Sequence, residues 1–165
     1  TGNDIFEWGL ADKGTAGSPN IDTITDFTYA NNAYGTSNVT LTDGTTKSFQ
    51  DATNLHGDSI DLRDLLVGEQ STEVVTGGTP QIGNLLKFID FQVVGADTIM
   101  HISSNALVTG GFNGTNATGT NFVAGQEDQR IIFTGVNLYT ATGATAGDET
   151  ALLQKLLQNG TLVVD

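Results

Sequence analysis

Turn-forming residues divide this chain into short pieces, and their spacing constrains the fold more than any other feature of the sequence. Glycine, threonine, asparagine and aspartate recur about every eight to twelve residues, and the stretches between them are short and rich in β-branched side chains. This pattern predicts a mostly β fold with few helices. The predicted strands are Asp4–Trp8, Asp22–Phe27, Asn38–Leu41, Ser59–Leu62, Phe88–Val94, Thr98–Ser103, Arg130–Thr134 and Thr161–Val164.

One helix has clear start and stop signals. It is predicted over Asp148–Asn159, where Asp148 is a suitable N-cap residue and Gly160 a suitable stop. Its leucines form one apolar stripe, which is more typical of core packing than of a docking face. These leucines are Leu152, Leu153, Leu156 and Leu157.

The rest of the chain gives weaker signals. Short helices are expected at Leu62–Leu66 and Ile82–Phe88. Two polar, glycine-containing stretches, Ala30–Gln50 and Leu107–Gln126, are predicted to be long loops. Loops of this length in a compact domain are usually functional or disordered.

The charge balance is strongly acidic. Asp plus Glu number 19 against 6 Lys plus Arg, which gives a formal net charge of −13. Phosphate binding needs a basic surface, so a nucleic-acid partner is not expected. Self-repulsion opposes compaction unless cations neutralise it, and Ca²⁺ bound by carboxylates is the obvious candidate. The alternative is that the acidic surface only keeps the protein in solution, although the acids gather near glycines in roughly the first 65 residues.

Length and composition fit one globular domain. Hydrophobic residues make up 38% of the 165 residues, which is enough to build a core. There is no cysteine, so neither a disulfide framework nor a thiolate zinc site is available. No stretch approaches the ~20 apolar residues of a membrane span, so none is expected. We expect a monomer.

The first residues match half of a calcium-binding repeat. Gly2–Phe6 (GNDIF) fits the second half of the nine-residue pattern G-G-x-G-x-D-x-U-x, whose turn carbonyls and Asp bind Ca²⁺ while the apolar residue points into a parallel β-roll. Glycine lets the backbone wrap the ion closely, and Asp supplies the oxygen that a hard cation prefers. Gly57–Leu62 (GDSIDL) shares with this segment a glycine, an early Asp and an apolar residue.

An ordered set of further segments extends this interpretation over nearly the whole chain. The segments are GNDIFEWGLADKGTAGSPNIDTITDF, GDSIDLRDLL, HISSN, EDQRIIFTGVNL and LLQKLLQNGTLVVD. Together they resemble the type I secretion C-terminal target domain of giant bacterial repeats-in-toxin adhesins. The resemblance implies the remnant of a parallel calcium-binding β-roll over residues 1–66. It also implies a β-rich cap over residues 67–165, of a β-sandwich or β-solenoid-like form, with one or two short helices and the secretion signal.

Calcium is the cofactor that the resemblance implies, and six aspartates are its candidate ligands. Asp4, Asp22, Asp26 and Asp58 rank first. Asp61 and Asp64 rank behind them, because both are also placed to cap the following turn. Clustered acids of this kind are costly without a cation. The polar stretch Ala30–Gln50 separates Asp26 from Asp58, which weakens the case for one site shared by those two.

The resemblance also implies an export route. The signal would be uncleaved and lie in roughly the last third of the chain, ending in the predicted helix and Thr161–Asp165. Its partner would be a three-part type I machine of ABC transporter, membrane-fusion protein and outer-membrane channel, and the protein would be secreted or held at the cell surface. Extracellular calcium modules work at about 10⁻⁴–10⁻³ M, far above cytosolic calcium, so folding would follow export. The plain alternative is that Leu162–Val164 is a last core strand.

Two other functions remain open at this point. The loop Leu107–Gln126 is a candidate for calcium-dependent binding of a carbohydrate or surface ligand, with Phe112 and Phe122 as its aromatic residues. The domain would otherwise be the noncatalytic tail of a repeats-in-toxin metalloprotease or lipase. Catalysis is not expected, because His56 and His101 lie far apart and no H-E-x-x-H or G-x-S-x-G motif is present.

Overall fold

The computed structural model describes residues 4–29, 36–40, 46–50, 57–71, 80–113 and 121–164, and it gives the backbone alone within 36–40 and 46–50. This part of the chain is rich in sheet and has few helices, as predicted. The strands are β1 (Ile5–Glu7), β2 (Asn20–Ile24), β3 (Thr36–Thr40), β4 (Thr46–Gln50), β5 (Ser59–Asp61), β6 (Ile89–Val94), β7 (Asp97–Ile102), β8 (Gln129–Phe133) and β9 (Leu162–Val163). The helices are α1 (Ala106–Thr109), α2 (Leu138–Thr142) and α3 (Glu149–Gln158), with 3-10 turns at Leu85–Lys87 and Ala124–Gln126.

A three-stranded sheet is formed by β1, β5 and β9, in that order, and both of its pairings are parallel. The register sets Phe6 of β1 beside Ile60 of β5, and Ile60 beside Leu162 of β9. Three widely separated parts of the sequence therefore run through this sheet in the same direction.

A four-stranded sheet has the order β2, β8, β7, β6. Here β2 and β8 run parallel, whereas β6, β7 and β8 are antiparallel neighbours. Strands from residues 1–66 and strands from residues 67–165 thus share both sheets. The predicted boundary at residue 66 therefore does not separate one sheet from the other.

Side chains from both sheets meet in one hydrophobic core. Phe6 of β1 packs on Phe27, with ring centroids 6.4 Å apart, and Phe27 meets Phe133 of β8 edge to face at 4.9 Å. This chain of rings links the two sheets, and edge-to-face pairs add stability beyond the area they bury. The largest fully buried side chains are Phe88, Phe112, Phe133, Ile60, Leu62, Leu65, Leu85, Ile89, Met100, Ile102, Ile131 and Leu138.

Helix α3 confirms its sequence signals. The Asp148 carboxylate accepts a hydrogen bond from the Ala151 backbone N–H at 2.9 Å, so Asp148 is the N-cap. Gly160, just beyond the helix, has a φ of 60°, a conformation that glycine adopts without strain. All four leucines of the stripe are buried in the core. The prediction that the stripe serves core packing is confirmed.

The remaining predictions hold in part. Leu62–Leu66 was expected to be helical and is a turn, held by the Leu62 carbonyl, which accepts from the N–H groups of Leu65 and Leu66 at 3.0 Å each. Ile82–Phe88 narrows to the 3-10 turn at Leu85–Lys87. The stretch Ala30–Gln50 is not simply a loop, because β3 and β4 within it pair as an antiparallel hairpin.

Two helices were missed by the sequence analysis. α1 lies at the start of the predicted loop Leu107–Gln126. α2 begins after Asn137, whose side chain accepts from the Thr140 N–H at 3.1 Å, and ends at Gly143. An Asn cap followed six residues later by a glycine stop was a readable signal. Five residues are too few for apolar periodicity to reveal it.

Gly83 is a position where the fold requires glycine. Its φ is +52°, and a Cβ there would lie 1.9 Å from the Gln70 carbonyl oxygen. Gly95 has a similar φ of +65° but open space around it. We expect Gly83→Ala to lower the free energy of unfolding by about 2 kcal/mol, and Gly95→Ala by only about 1 kcal/mol, because the second change adds strain without a clash. Urea denaturation of both variants checks this, and equal losses would contradict it.

Candidate metal site

An open depression of about 370 Å³ lies where β1 ends and β2 begins. It is lined by Glu7, Trp8, Asp12, Asn20, Ile21 and Asp22. Three of these six side chains are carboxylates, and the Asn20 amide is a further source of oxygen. The depression is therefore polar and negatively charged, in a chain whose net charge is already −13.

The turn between the two strands shapes this depression. Asp12 folds back on Gly9, whose N–H donates to the Asp12 carboxylate at 2.8 Å, while the Asp12 N–H donates to the Gly9 carbonyl at 3.0 Å. The Asn20 amide then donates to the Asp12 carbonyl at 2.6 Å. These contacts fix the turn, so that the acids of β1, of the turn and of β2 surround one space.

Asp22 is the most tightly held of these acids. One of its oxygens, Oδ2, accepts from the Trp8 indole N–H at 2.8 Å and from the Gln129 amide at 2.7 Å. This single oxygen ties β1, β2 and β8 together. The Gln129 side chain is buried, and its own oxygen has no hydrogen-bond donor among the described residues. The neighbourhood of Asp22 therefore has unused oxygen capacity.

The depression contains oxygen atoms of the kind that bind a hard cation, but its carboxylates are not close enough together to hold one. Ca²⁺ prefers six to eight oxygen ligands, and carboxylates and amide carbonyls are the side chains that supply them. Among the residues that the structure describes, no three His, Cys, Asp or Glu side chains come close enough together to hold a metal. Glu7 and Asp12 are exposed. Of the two, the Asp12 carboxylate is already held by the Gly9 N–H.

Asp58, one of the predicted ligands, accepts hydrogen bonds from two backbone N–H groups. It is 3% exposed, and its two oxygens accept from the N–H groups of Asp4 at 2.9 Å and Thr28 at 2.6 Å. Both amides lie on segments distant in sequence from β5. Asp58 therefore fastens β1 and the segment after β2 to the start of β5. Asp4, the other first-rank acid in this region, is brought next to it by the parallel register.

Asp61 makes an ion pair with Arg63 and also caps the turn that follows β5. Its Oδ2 lies 2.5 Å from Arg63 Nη2, and its Oδ1 accepts from the Arg63 backbone N–H at 3.1 Å. Hydrogen bonds from Arg63 hold the pKa of Asp61 below its usual value. The capping role weighed for Asp61 from the sequence is thus seen. Asp26 and Asp64 are exposed.

The six predicted ligands do not form one cluster in the described part of the chain. Asp4 and Asp58 lie together, and Asp22 lies in the depression. Calcium ligation by these residues stays a prediction. Sequence reasoning missed three polar residues of the depression, Glu7, Asp12 and Asn20. Their positions depend on the turn that connects β1 to β2, in which the Asp12 carboxylate reaches back to the Gly9 N–H, and no local sequence signal predicts that contact.

A second polar cluster lies at β7 and β8. The Glu127 carboxylate contacts His101 Nδ1 at 2.6 Å and Arg130 Nη2 at 2.6 Å, and the Phe122 ring stacks on His101 at 4.1 Å. Burial raises the pKa of Glu127, but the hydrogen bonds from His101 and Arg130 outweigh it, so the pKa lies below its usual value. The cluster is buried and self-satisfied, which is the arrangement of a structural network.

The aromatic residues proposed for carbohydrate binding are not on an open surface. Phe112 is 1% exposed, and Phe122 is half-buried between Phe112 and His101. Sugar recognition by stacking needs an accessible aromatic face, so neither ring offers one as it stands. Residues 114–120 of that predicted loop lie outside the described residues.

Comparison of the chain with protein-family models, with curated proteins and with solved structures finds no match. The depression is therefore interpreted from its own geometry and from the sequence. Within the described ranges, no helix is both long and apolar enough to cross a membrane. This agrees with the expectation of no membrane-spanning helix.

Proposed function

We propose that this chain is a noncatalytic, calcium-binding domain of a secreted or cell-surface repeats-in-toxin adhesin. It folds when it meets extracellular calcium, and its last third contains the segment that a type I secretion machine recognises. The motif resemblance is the source of this proposal. The pairing of the two similar motif segments gives it physical support.

One observation carries the proposal. The segments Gly2–Phe6 and Gly57–Leu62 share a glycine, an early Asp and an apolar residue, and their described parts lie side by side as parallel strands. The register aligns Phe6 with Ile60, so the apolar residues of the two segments occupy equivalent places. In-register stacking of like segments is how successive turns of a parallel β-roll pack. The third parallel strand, β9, extends the same sheet.

The acid-lined depression is where we place calcium. Glu7, Asp12 and Asp22 bring three negative charges around one space, and a divalent ion there would replace their mutual repulsion by attraction. The Asn20 carbonyl oxygen would complete part of the coordination. Glu7 and Asp12 are exposed, so turning Glu7 toward the ion disturbs no core packing, while the Gly9 N–H keeps the Asp12 carboxylate at the turn. Binding energy gained in this way is folding energy.

The export role follows from the same coupling. A chain that needs about 10⁻⁴–10⁻³ M calcium to fold stays unfolded in the cytosol and threads a transporter readily. In the folded state, α3 and β9 are buried in the core, with Leu162 only 1% exposed. A secretion signal in these elements is therefore readable only before folding, which fits export of an unfolded chain.

Calcium titration tests this proposal. We expect the 165-residue chain to gain β-structure, seen by circular dichroism, with a midpoint of about 10⁻⁴–10⁻³ M calcium and little response to the same range of magnesium. Glu7→Gln and Asp12→Asn should each raise the calcium midpoint about tenfold, which corresponds to about 1.4 kcal/mol of binding energy. Both substitutions keep the shape of the side chain and remove one charge.

Asp97→Asn is the matched control, because Asp97 lies at the β6–β7 hairpin and its oxygen cap on the Gly135 N–H survives the change. It should leave the midpoint unchanged. A spectrum that is the same in calcium and in chelator would overturn the proposal. If the midpoint moves equally in all three variants, the depression is not the site.

A further inference from the structure

Two acidic side chains, Asp90 and Glu149, are buried in the core against the same residue, Asn121. Asp90 on β6 and Glu149, the first residue of α3, are each 1% exposed. Both carboxyls accept hydrogen bonds from Asn121, which brings them into one buried polar cluster. Buried carboxyl groups are rare unless they are paired with a cation or share a proton, because burial opposes charge.

The pair holds three parts of the chain together. Asp90 Oδ1 accepts from the Asn121 backbone N–H at 2.7 Å. Glu149 Oε2 accepts from the Asn121 side-chain amide at 2.8 Å, and Glu149 Oε1 accepts from the Phe91 N–H at 3.3 Å. Asn121 itself is fully buried. The two carboxyls therefore connect β6, the start of α3 and Asn121.

The charges around the pair favour one proton on it. The burial of Glu149 and the neighbouring Asp90 raise the pKa of Glu149 to about 8. Two further acidic groups lie close, the Tyr139 hydroxyl on α2 and the Asp148 carboxylate at the α3 N-cap. Burial and the negative charges of the three carboxylates raise the pKa of Tyr139. His101, opposite Asp90 on β7, is held by Glu127. The groups around Glu149 therefore favour its protonated form.

We propose that Asp90 and Glu149 form a proton-dependent clamp, in which one shared proton holds α3 and Asn121 against β6. Loss of the proton leaves two buried negative charges beside the same asparagine, Asn121. The clamp is then weakened, and α3, with β9 behind it, is the element that it releases. This device goes beyond the proposed function and does not rest on calcium.

The direction of the pH effect follows from linkage. In the unfolded chain Glu149 has its ordinary pKa of 4.5, and in the folded chain the pKa is about 8. A raised folded pKa gives stability that is fully present below about pH 4.5 and is lost as the pH rises toward 8. Across that window the folded state holds one more proton, so the equilibrium constant for unfolding rises by up to about tenfold per pH unit.

The test compares the chain with Glu149→Gln, which cannot ionise and keeps one acceptor oxygen. Its NH2 group replaces the other oxygen, so one hydrogen bond, from Phe91 or from Asn121, is lost at every pH. Urea denaturation is followed from about pH 6 to about pH 8.5 at one fixed, excess concentration of calcium. Relative to Glu149→Gln, the unaltered chain should lose at least about tenfold in its folding equilibrium constant between about pH 6 and pH 8. Parallel pH profiles of the two proteins would overturn the clamp.

A second variant keeps the test decisive if Glu149→Gln fails to fold. Asp90→Asn preserves the oxygen that accepts from the Asn121 N–H and removes the neighbouring charge, so its pH profile should also be flatter than that of the unaltered chain. Asp97→Asn, outside the pair, should keep the steep profile. If Asp90→Asn follows the unaltered chain, the shared proton is not the cause. If the chain folds without calcium, the proposed function is wrong, but the pH profiles of the variants still test the clamp.

Discussion

Phe133→Ala is expected to lower the free energy of unfolding by about 3–5 kcal/mol. Phe133 is fully buried in β8, between Ile24 on one neighbouring strand and Thr98 on the other. Its ring also meets Phe27 edge to face. Truncation removes this contact between the sheets and leaves a cavity that the flanking strands cannot close, since their ladders fix their spacing.

The measurement is urea denaturation in excess calcium, followed by circular dichroism. Phe133→Leu is the graded control, because it keeps most of the apolar volume and should cost only about 1 kcal/mol. A loss below about 1 kcal/mol for the alanine variant would mean that the rings of Phe27 and Phe133 do not join the two sheets as described.

Asp58→Ala is expected to cost about 3 kcal/mol. The change removes the acceptor of two backbone N–H groups, those of Asp4 and Thr28, and leaves them without partners in a partly buried place. Because these amides lie on different segments, the loss also loosens β1 from β5. A residue predicted as a calcium ligand would then owe its importance to backbone capping.

Asp58→Asn separates the two explanations. An amide keeps one acceptor oxygen, so the loss in the free energy of unfolding should be about half of that for Asp58→Ala, roughly 1–2 kcal/mol. Thr25→Ala, at an exposed side chain close in sequence to Thr28, should change stability by less than about 0.5 kcal/mol. The calcium midpoint of the asparagine variant is the second measurement. A large shift in that midpoint with unchanged urea stability would show ligation rather than capping.

Most strands were predicted from local sequence because their signals are local. β6, β7 and β8 each lie within one or two residues of the predicted bounds, since alternation and β-branched residues mark a strand wherever it ends up. The hairpin of β3 and β4 was only half predicted, because its second strand, Thr46–Gln50, is polar. Polar strands lack the alternation on which such predictions depend.

The candidate site was predicted less well. Asp22 was identified from its motif, but Glu7 and Asp12 were not, because they reach the same depression only through the turn between β1 and β2. The ranking of Asp58 as a ligand came from its motif as well. Its use as a cap became visible only when the register placed Asp4 and Thr28 within reach of its oxygens.

The sequence by itself determined the mostly β character, the positions of most strands and the ends of α3, because periodicity, capping residues and glycine stops act over a few neighbouring residues. Only the tertiary structure decided that β2 pairs with β8 and β5 with β9. It alone brought Asp90 and Glu149 to the same buried residue, Asn121. Segments about a hundred residues apart meet through the closure of the whole chain, and no local pattern records which carboxylates that closure buries and which it leaves facing solvent.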